Sequence, residues 1–293
     1  MRRGWVLLLG PWLASCGERA AEPPPLPTGK VPPSLVRQVR GRPTSDWLAQ
    51  SGAADPAQRA EALLALGELL DEPAALAALL ERGLGDVDAG VRHAAVLVAG
   101  RVPRALAPAA EQALVAALAA PERGLARAAA AAVEARGALA GPALAEALAA
   151  PDERLAREAA RALGSLRGAA APWAGALVTR LREDQRLSVL LEAQRALARV
   201  GPEAVPALAQ GLPGAPTEAA LQLLDLLRVQ GPAALPAWPQ LRPLLEAPEG
   251  AVAAAAAEAV VALGPKVLPL LEAEPAGAVA AVAERIRAAA AAR

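Results

Sequence analysis

The chain has 293 residues, 55% of them hydrophobic, with no Phe or Tyr and its only Ile at Ile286. The residues that fill sheet surfaces are therefore scarce, while Ala and Leu, both helix formers, dominate; the expectation is an all-α protein. Thirty Lys plus Arg against thirty Asp plus Glu, spread along the whole chain, exclude the basic field that a nucleic-acid partner requires.

In chain order, residues 1–16 read MRRGWVLLLGPWLASC: two arginines, an apolar stretch from Trp5 to Leu13, small residues, then the only cysteine. This is the layout of a signal peptide, and its apolar run is about half of the roughly 20 residues that cross a bilayer as a helix. Leu13-Ala14-Ser15-Cys16 resembles the lipobox of bacterial lipoproteins. The resemblance implies cleavage before Cys16, lipidation of its thiol and acylation of the new amine, and two or more acyl chains hold a protein at a membrane stably. Gly17 stands where enteric bacteria place an Asp to retain lipoproteins in the inner membrane, which favours the outer membrane of a bacterial envelope. An ordinary secretory signal with Cys16 incidental is the competing reading. The expected division is 1–15 signal peptide, 16–45 lipidated cysteine and Pro-rich tether, and 46–293 repeat domain. The tether follows from Pro23-Pro24-Pro25, Pro27, Pro32-Pro33 and Pro43, a density that favours extended polyproline conformation over a packed core.

From about residue 50, loop-plus-helix starts recur at positions 56, 88, 121, 151, 185, 216, 248 and 275, a period of roughly thirty-two residues. The most regular copy is PDERLAREAARALG at 151–164. As a helix it places Leu155, Ala159, Leu163 and Leu166 on one stripe, with Arg154, Arg157, Glu158 and Arg161 on another face and Ala156 and Ala160 leaving room for a close neighbour. One such helix cannot bury its stripe alone; a stack of copies can.

A second element follows each first helix, clearest in GPEAVPAL at 201–208, GPAALPAW at 231–238 and GPKVLPLL at 264–271. The Gly allows a left-handed cap, and the Pro after it cannot continue the helix. Residues 276–293 read as a terminal helix capping the open end of the stack. The period, the Ala-rich first helices and the DAGVRHAA run at 88–95 resemble HEAT repeats, especially the short type of phycobilin lyases. That resemblance, covering about residues 50–293, implies an α-solenoid of about seven helix-turn-helix repeats. It further implies an Asp–Arg ladder between neighbouring units, with Asp55 and Arg59, Asp88 and Arg92, and Asp152 and Arg157 in those parts. Each Asp also suits the N-cap of its own helix, a contribution of about 1 kcal/mol.

Chemistry-bearing constellations are sparse. His93 is the only histidine and lies within the repeat pattern beside Arg92; with Cys16 assigned to lipid, neither a Cys/His metal site nor a His-dependent nucleophile is expected. The acidic pairs Asp86/Asp88, Asp152/Glu153 and Glu183/Asp184 stand at repeat boundaries, where caps are expected. No cofactor, metal or catalytic role is therefore anticipated. Function is sought where the pattern breaks. Trp173 and Trp238 open two second elements, PAALPAWPQLRP at 232–243 carries four prolines so that its helix is broken or delayed, and arginines lie nearby. Trp173, Arg180, Arg182, Trp238, Gln240 and Arg242 are the candidate protein-partner patch, against the plainer reading that both Trp rings fill gaps between Ala-rich helices. The expected function is a lipid-anchored scaffold that binds a protein partner. The alternative, by resemblance to the lyases, is an accessory protein cradling a small ligand or chromophore.

Overall fold

The computed structural model describes residues 38–273 and 277–291. Cys16, the lipobox and the tether up to residue 37 lie outside them. The repeat-bearing unit begins at Gln38, so residues 38–45, at the end of the expected tether, belong to it. The reason is Trp47. A two-stranded hairpin, β1 (Gln38–Val39) and β2 (Arg42–Pro43), leads into α1 (Thr44–Gln50). The Trp47 ring is buried, its indole N–H donates to the Val39 carbonyl at 3.3 Å, and the Arg42 guanidinium sits 4.1 Å from the ring centroid.

Seven helix pairs follow: α2 (Pro56–Leu69) with α3 (Pro73–Leu84), α4 (Ala89–Arg101) with α5 (Pro108–Ala116), α6 (Arg123–Arg136) with α7 (Gly141–Leu148), α8 (Glu153–Ser165) with α9 (Ala174–Glu183), α10 (Leu187–Val200) with α11 (Val205–Gly211), α12 (Thr217–Gln230) with α13 (Trp238–Leu244), and α14 (Gly250–Ala262) with α15 (Leu268–Glu272). The last helix, α16 (Gly277–Ala291), packs on α14 and α15 as the expected cap. Every first helix begins within two residues of its expected start. First helices stack on first helices from α2 to α16, and second helices on second helices from α3 to α13, which makes the described chain an all-α solenoid.

Small residues set how closely first helices approach. A Cβ on Gly100 would stand 2.9 Å from the Ala132 Cβ, and one on Gly164 would stand 2.9 Å from the Ala196 Cα, so each glycine touches the next first helix backbone to side. In α8 the residues Ala156, Ala159, Ala160 and Leu163 are fully buried, as the stripe and the small neighbours of the 151–164 copy require. Asp55, Asp88 and Asp152 each accept hydrogen bonds from backbone N–H groups of their own helix starts, at 2.8–3.1 Å.

The connections inside the units are of two kinds. Units three to seven turn through a residue with positive φ and then a 3-10 segment: Gly137–Ala140, Arg167–Trp173, Gly201–Ala204, Gly231–Ala237 and Gly264–Val267. The expected left-handed cap is corrected in detail. Gly137 and Gly201 have φ of 56° and 82° but ψ of −130° and −148°, a region beyond the left-handed helix that glycine alone reaches comfortably. In the unit of α8 and α9 an arginine, Arg167, holds that position at φ 52°. The 3-10 segment at 231–237 delays α13 to Trp238, as its extra prolines predict, and the one at 167–173 is equally long.

A side chain at positive φ costs roughly 1–2 kcal/mol. Arg167→Gly is therefore expected to stabilise the array by about 1 kcal/mol, read as a rise of a few degrees in the thermal midpoint. An unchanged or lower midpoint means that contacts of Arg167 outweigh its strain.

Candidate functional site

The first two units lack the positive-φ turn. Between α4 and α5 the chain instead runs through a connector, Val102 to Ala107, bounded by extended residues at φ −75°, ψ 115° and φ −58°, ψ 143°. Pro103 and Pro108 account for both ends, since each fixes its own φ and pushes its predecessor out of the helical region. A non-helical stretch makes no ladder of its own, so its carbonyls need partners from elsewhere. Arg136, at the last turn of α6 and 4% exposed, supplies them. Its Nη1 donates to the carbonyls of Ala99 and Val102 at 3.1 and 3.0 Å, and its Nη2 donates to the carbonyl of Arg104 at 3.1 Å. The fork formed by Nε and Nη2 meets both oxygens of Glu111 at 2.8 and 2.7 Å. All five N–H donors are used, and the buried charge is neutralised by a carboxylate itself only 6% exposed.

Along this connector lie three clefts that share walls. One of about 250 Å³ opens between Leu64, Gly67 and Leu76 on one side and Val98 and Val102 on the other, with Glu68, Asp71, Arg101 and Arg104 at its rim. The second, also about 250 Å³, shares Leu76, Val102 and Arg104 with it and reaches Leu106. A third, about 180 Å³, continues from Ala105 and Leu106 to Leu139, Pro142 and Glu146. The series crosses the N-terminal halves of α3, α5 and α7. Sequence reasoning missed this region, although one signal was present: the second unit has V-P-R-A-L-A-P where the third has Gly137-Ala138, the fourth Arg167-Gly168 and the last three Gly-Pro.

The residues singled out from sequence do not gather at one place. Trp173 lies against Gly141, where an added Cβ would come within 2.1 Å of the ring, so the indole fills the space between neighbouring second elements. Trp238 is half-buried against the core at the start of α13. The unit of α10 and α11 stands between them, at helix spacings of about 10 Å each. Arg180 pairs with Glu183 and Asp184 at 3.7 and 3.9 Å, Arg182 donates to the Gly214 carbonyl at 3.3 Å, and Arg242 pairs with Glu246 at 3.6 Å. Gln240 has a buried Oε1 without a hydrogen-bond partner. His93 is half-exposed on α4, and among the described residues no cluster of His, Asp and Glu has the makings of a metal site.

The ladder exists, with different partners from those expected. Arg59 reaches forward to Asp86, bidentate at 2.8 Å, and also donates to the carbonyls of Ala53 and Ala54. Arg92 reaches Glu122 at 3.0 Å, and Arg157 turns to its neighbour Glu158. Asp55, Asp88 and Asp152 do not take these arginines because their carboxylates already face their own helix N-termini. A second run crosses α8 and α10: Arg157, Glu158, Arg161, Glu192 and Arg195, each within 3.4 Å of the next. It stops at α12, where the corresponding position is Gln222, whose buried Oε1 is unpartnered. Of the acidic pairs at repeat boundaries, Asp184 is held by Arg186 at 2.6 Å, and Arg186 also donates to the carbonyls of Ala150 and Pro151. Hydrogen bonds from Arg59 and Arg186 hold the Asp86 and Asp184 carboxyls below the usual carboxylate range, against the opposing effect of burial.

No protein-family model matches the chain, and no curated protein matches it. Among solved structures, the complex of CpcE and CpcF of phycocyanin lyase from Nostoc sp. PCC7120 is 19% identical, over 92% of this chain and 99% of that one, with a TM-score of 0.33. Human deoxyhypusine hydroxylase is 23% identical over 82% and 94% of the two chains, with a TM-score of 0.31. An engineered protein is 20% identical over 75% and 96%, with a TM-score of 0.33. Likeness at this level carries nothing about activity, and the solenoid rests on the chain's own helix contacts.

Two outcomes follow from the polar contacts. Arg136→Ala leaves Glu111 buried and unpaired and is expected to destabilise the protein by about 3–5 kcal/mol in denaturant unfolding, with Glu111→Gln, which keeps an acceptor, costing less. Depressed carboxyl pKa values contribute stability that is present above the unfolded value near 4 and lost as pH falls through the folded one. Unfolding midpoints are thus expected to drop below about pH 4, and Asp86→Asn and Asp184→Asn to lower stability at pH 6 while making that acid decline shallower.

Proposed function

We propose that the chain is a lipid-anchored, non-catalytic scaffold of a bacterial envelope, held by Cys16 and binding a protein partner on its solenoid surface. The observation that supports the binding role most directly is the series of three clefts along 102–107, where the second unit lacks the positive-φ turn of units three to seven and contiguous space is left open. Packed single domains keep few such voids, and an array that elsewhere fills the equivalent space with Trp173 leaves it open here. The anchor rests on the sequence of residues 1–16 and on the Pro-rich stretch after it, which would hold the array away from the bilayer. Among the described residues no single helix is long and apolar enough to cross a membrane.

A second reading, a cradle for a small apolar ligand, draws on a cleft of about 470 Å³ at the other end of the array. Pro232, Val261, Pro265, Ile286 and Ala289 wall it, and among the described residues no titratable side chain lines it. The two readings separate on purification: an absorbing or mass-resolved small molecule carried along favours the cradle, and its absence together with crosslinked polypeptides favours the scaffold.

Cys16→Ser is expected to move the protein from the membrane to the soluble fraction of cells; retention in the membrane fraction overturns the anchor. Crosslinking in intact cells followed by mass spectrometry is expected to recover a polypeptide joined to residues of the array, and recovery of none overturns the scaffold.

A further inference from the structure

We infer that the connector from Val102 to Ala107 is a docking edge for an extended polypeptide segment, which adds to it by main-chain hydrogen bonds. The inference rests on the scaffold reading and names the chemistry of its partner. Three observations combine. The N–H groups of Ala105, Leu106 and Ala107 and the carbonyls of Ala105 and Leu106 make no hydrogen bond to the described residues. A row of unpaired donors and acceptors is the feature an added strand completes.

The clefts on either side supply the pockets that such pairing needs. Leu76, Val102, Leu106, Leu139 and Pro142 supply the apolar part of their walls, the first cleft being about half polar, and the series runs from α3 to α7, two helix spacings or about 20 Å. That is the span of about six residues of extended chain, whose alternate side chains point to one side. Charges at the rim balance, Arg101 and Arg104 against Glu68 and Asp71, so the matching segment is apolar at alternate positions and near neutral.

The third observation is rigidity. Arg136 fixes the carbonyls of Val102 and Arg104, which holds the connector in a set geometry. A partner therefore meets an edge already ordered, and the entropy of ordering falls on the incoming segment alone. A grip that uses up all five donors of a buried arginine needs no pocket to explain it as packing. Its consequence is a connector that cannot collapse into the clefts it borders.

The test uses the full-length protein and a fluorescein-labelled nonapeptide of alternating leucine and threonine, with a second copy of that peptide N-methylated at every other residue. Expected are saturable binding of the first, at least tenfold weaker binding of the second, and amide exchange at Ala105, Leu106 and Ala107 that is fast in the free protein and slowed at least tenfold by the first peptide. Ala105→Pro, which removes one donor, and Leu106→Glu, which places a charge in a shared wall, are each expected to weaken binding at least tenfold with the helical circular dichroism retained. If one of them unfolds, the other and the exchange rates decide. Equal binding of both peptides, no saturation, or amides at 105–107 already protected in the free protein overturns the docking edge. Crosslinked partners on other faces would then leave the scaffold standing, whereas an array with no crosslinked partner fails as a scaffold whatever the peptides do.

Discussion

The structure depends on how closely one first helix can lie against the next. Glycine and alanine at the contacts, Gly67 on Val98, Gly100 on Ala132 and Gly164 on Ala196, bring the helices to the point where an added methyl group would overlap its neighbour. Dispersion contacts are then made along whole helix faces, and the buried leucines, Leu66, Leu163, Leu197 and Leu223 among them, fill what remains between the two layers of each unit. An array built this way gives each helix pair only its neighbours as partners, so stability is distributed and an irregular unit is tolerated if its own polar groups are satisfied.

That condition explains where the charges lie. Caps take Asp55, Asp88 and Asp152, while arginines bind the carbonyls exposed at unit boundaries and the acids of the next loop. Arg136 is the extreme case, because the connector it serves has no helical bonding of its own. Along that connector, main-chain groups of residues 105–107 make no hydrogen bond to the described residues, beside a series of clefts that share walls.

The two ends of the array differ in character. At the N-terminal end the hairpin and Trp47 close the stack, with the Arg42 side chain laid over the ring, and the open clefts begin one unit later. At the C-terminal end α16 closes it with an alanine-rich surface and the cleft beside Ile286. Ion pairs of Arg285 with Glu258 and of Arg287 with Glu272 and Glu284 fasten that cap. Exposed pairs of this kind contribute little each, on the order of 0–1 kcal/mol, so the cap is held chiefly by Val279, Val282, Ala283 and Ile286.

By itself the sequence determined the class, the period and the first-helix starts to within two residues. Those features are local: the 3.6-residue apolar spacing, Asp at N-caps, and Gly-Pro after a helix all act within a few residues. It also set the delay of α13, since proline acts on its own turn. Which acid meets which arginine was settled by tertiary structure, because Arg59 must choose between Asp55, already capping, and Asp86 across the unit boundary. Packing likewise placed the Trp173 ring over Gly141, a contact that the repeat pattern does not show. The connector at 102–107 was written as a proline-bounded stretch without glycine, but its meaning was not. Only the fold brings Arg136 from the next unit to its carbonyls, while the N–H groups of Ala105, Leu106 and Ala107 make no hydrogen bond to the described residues.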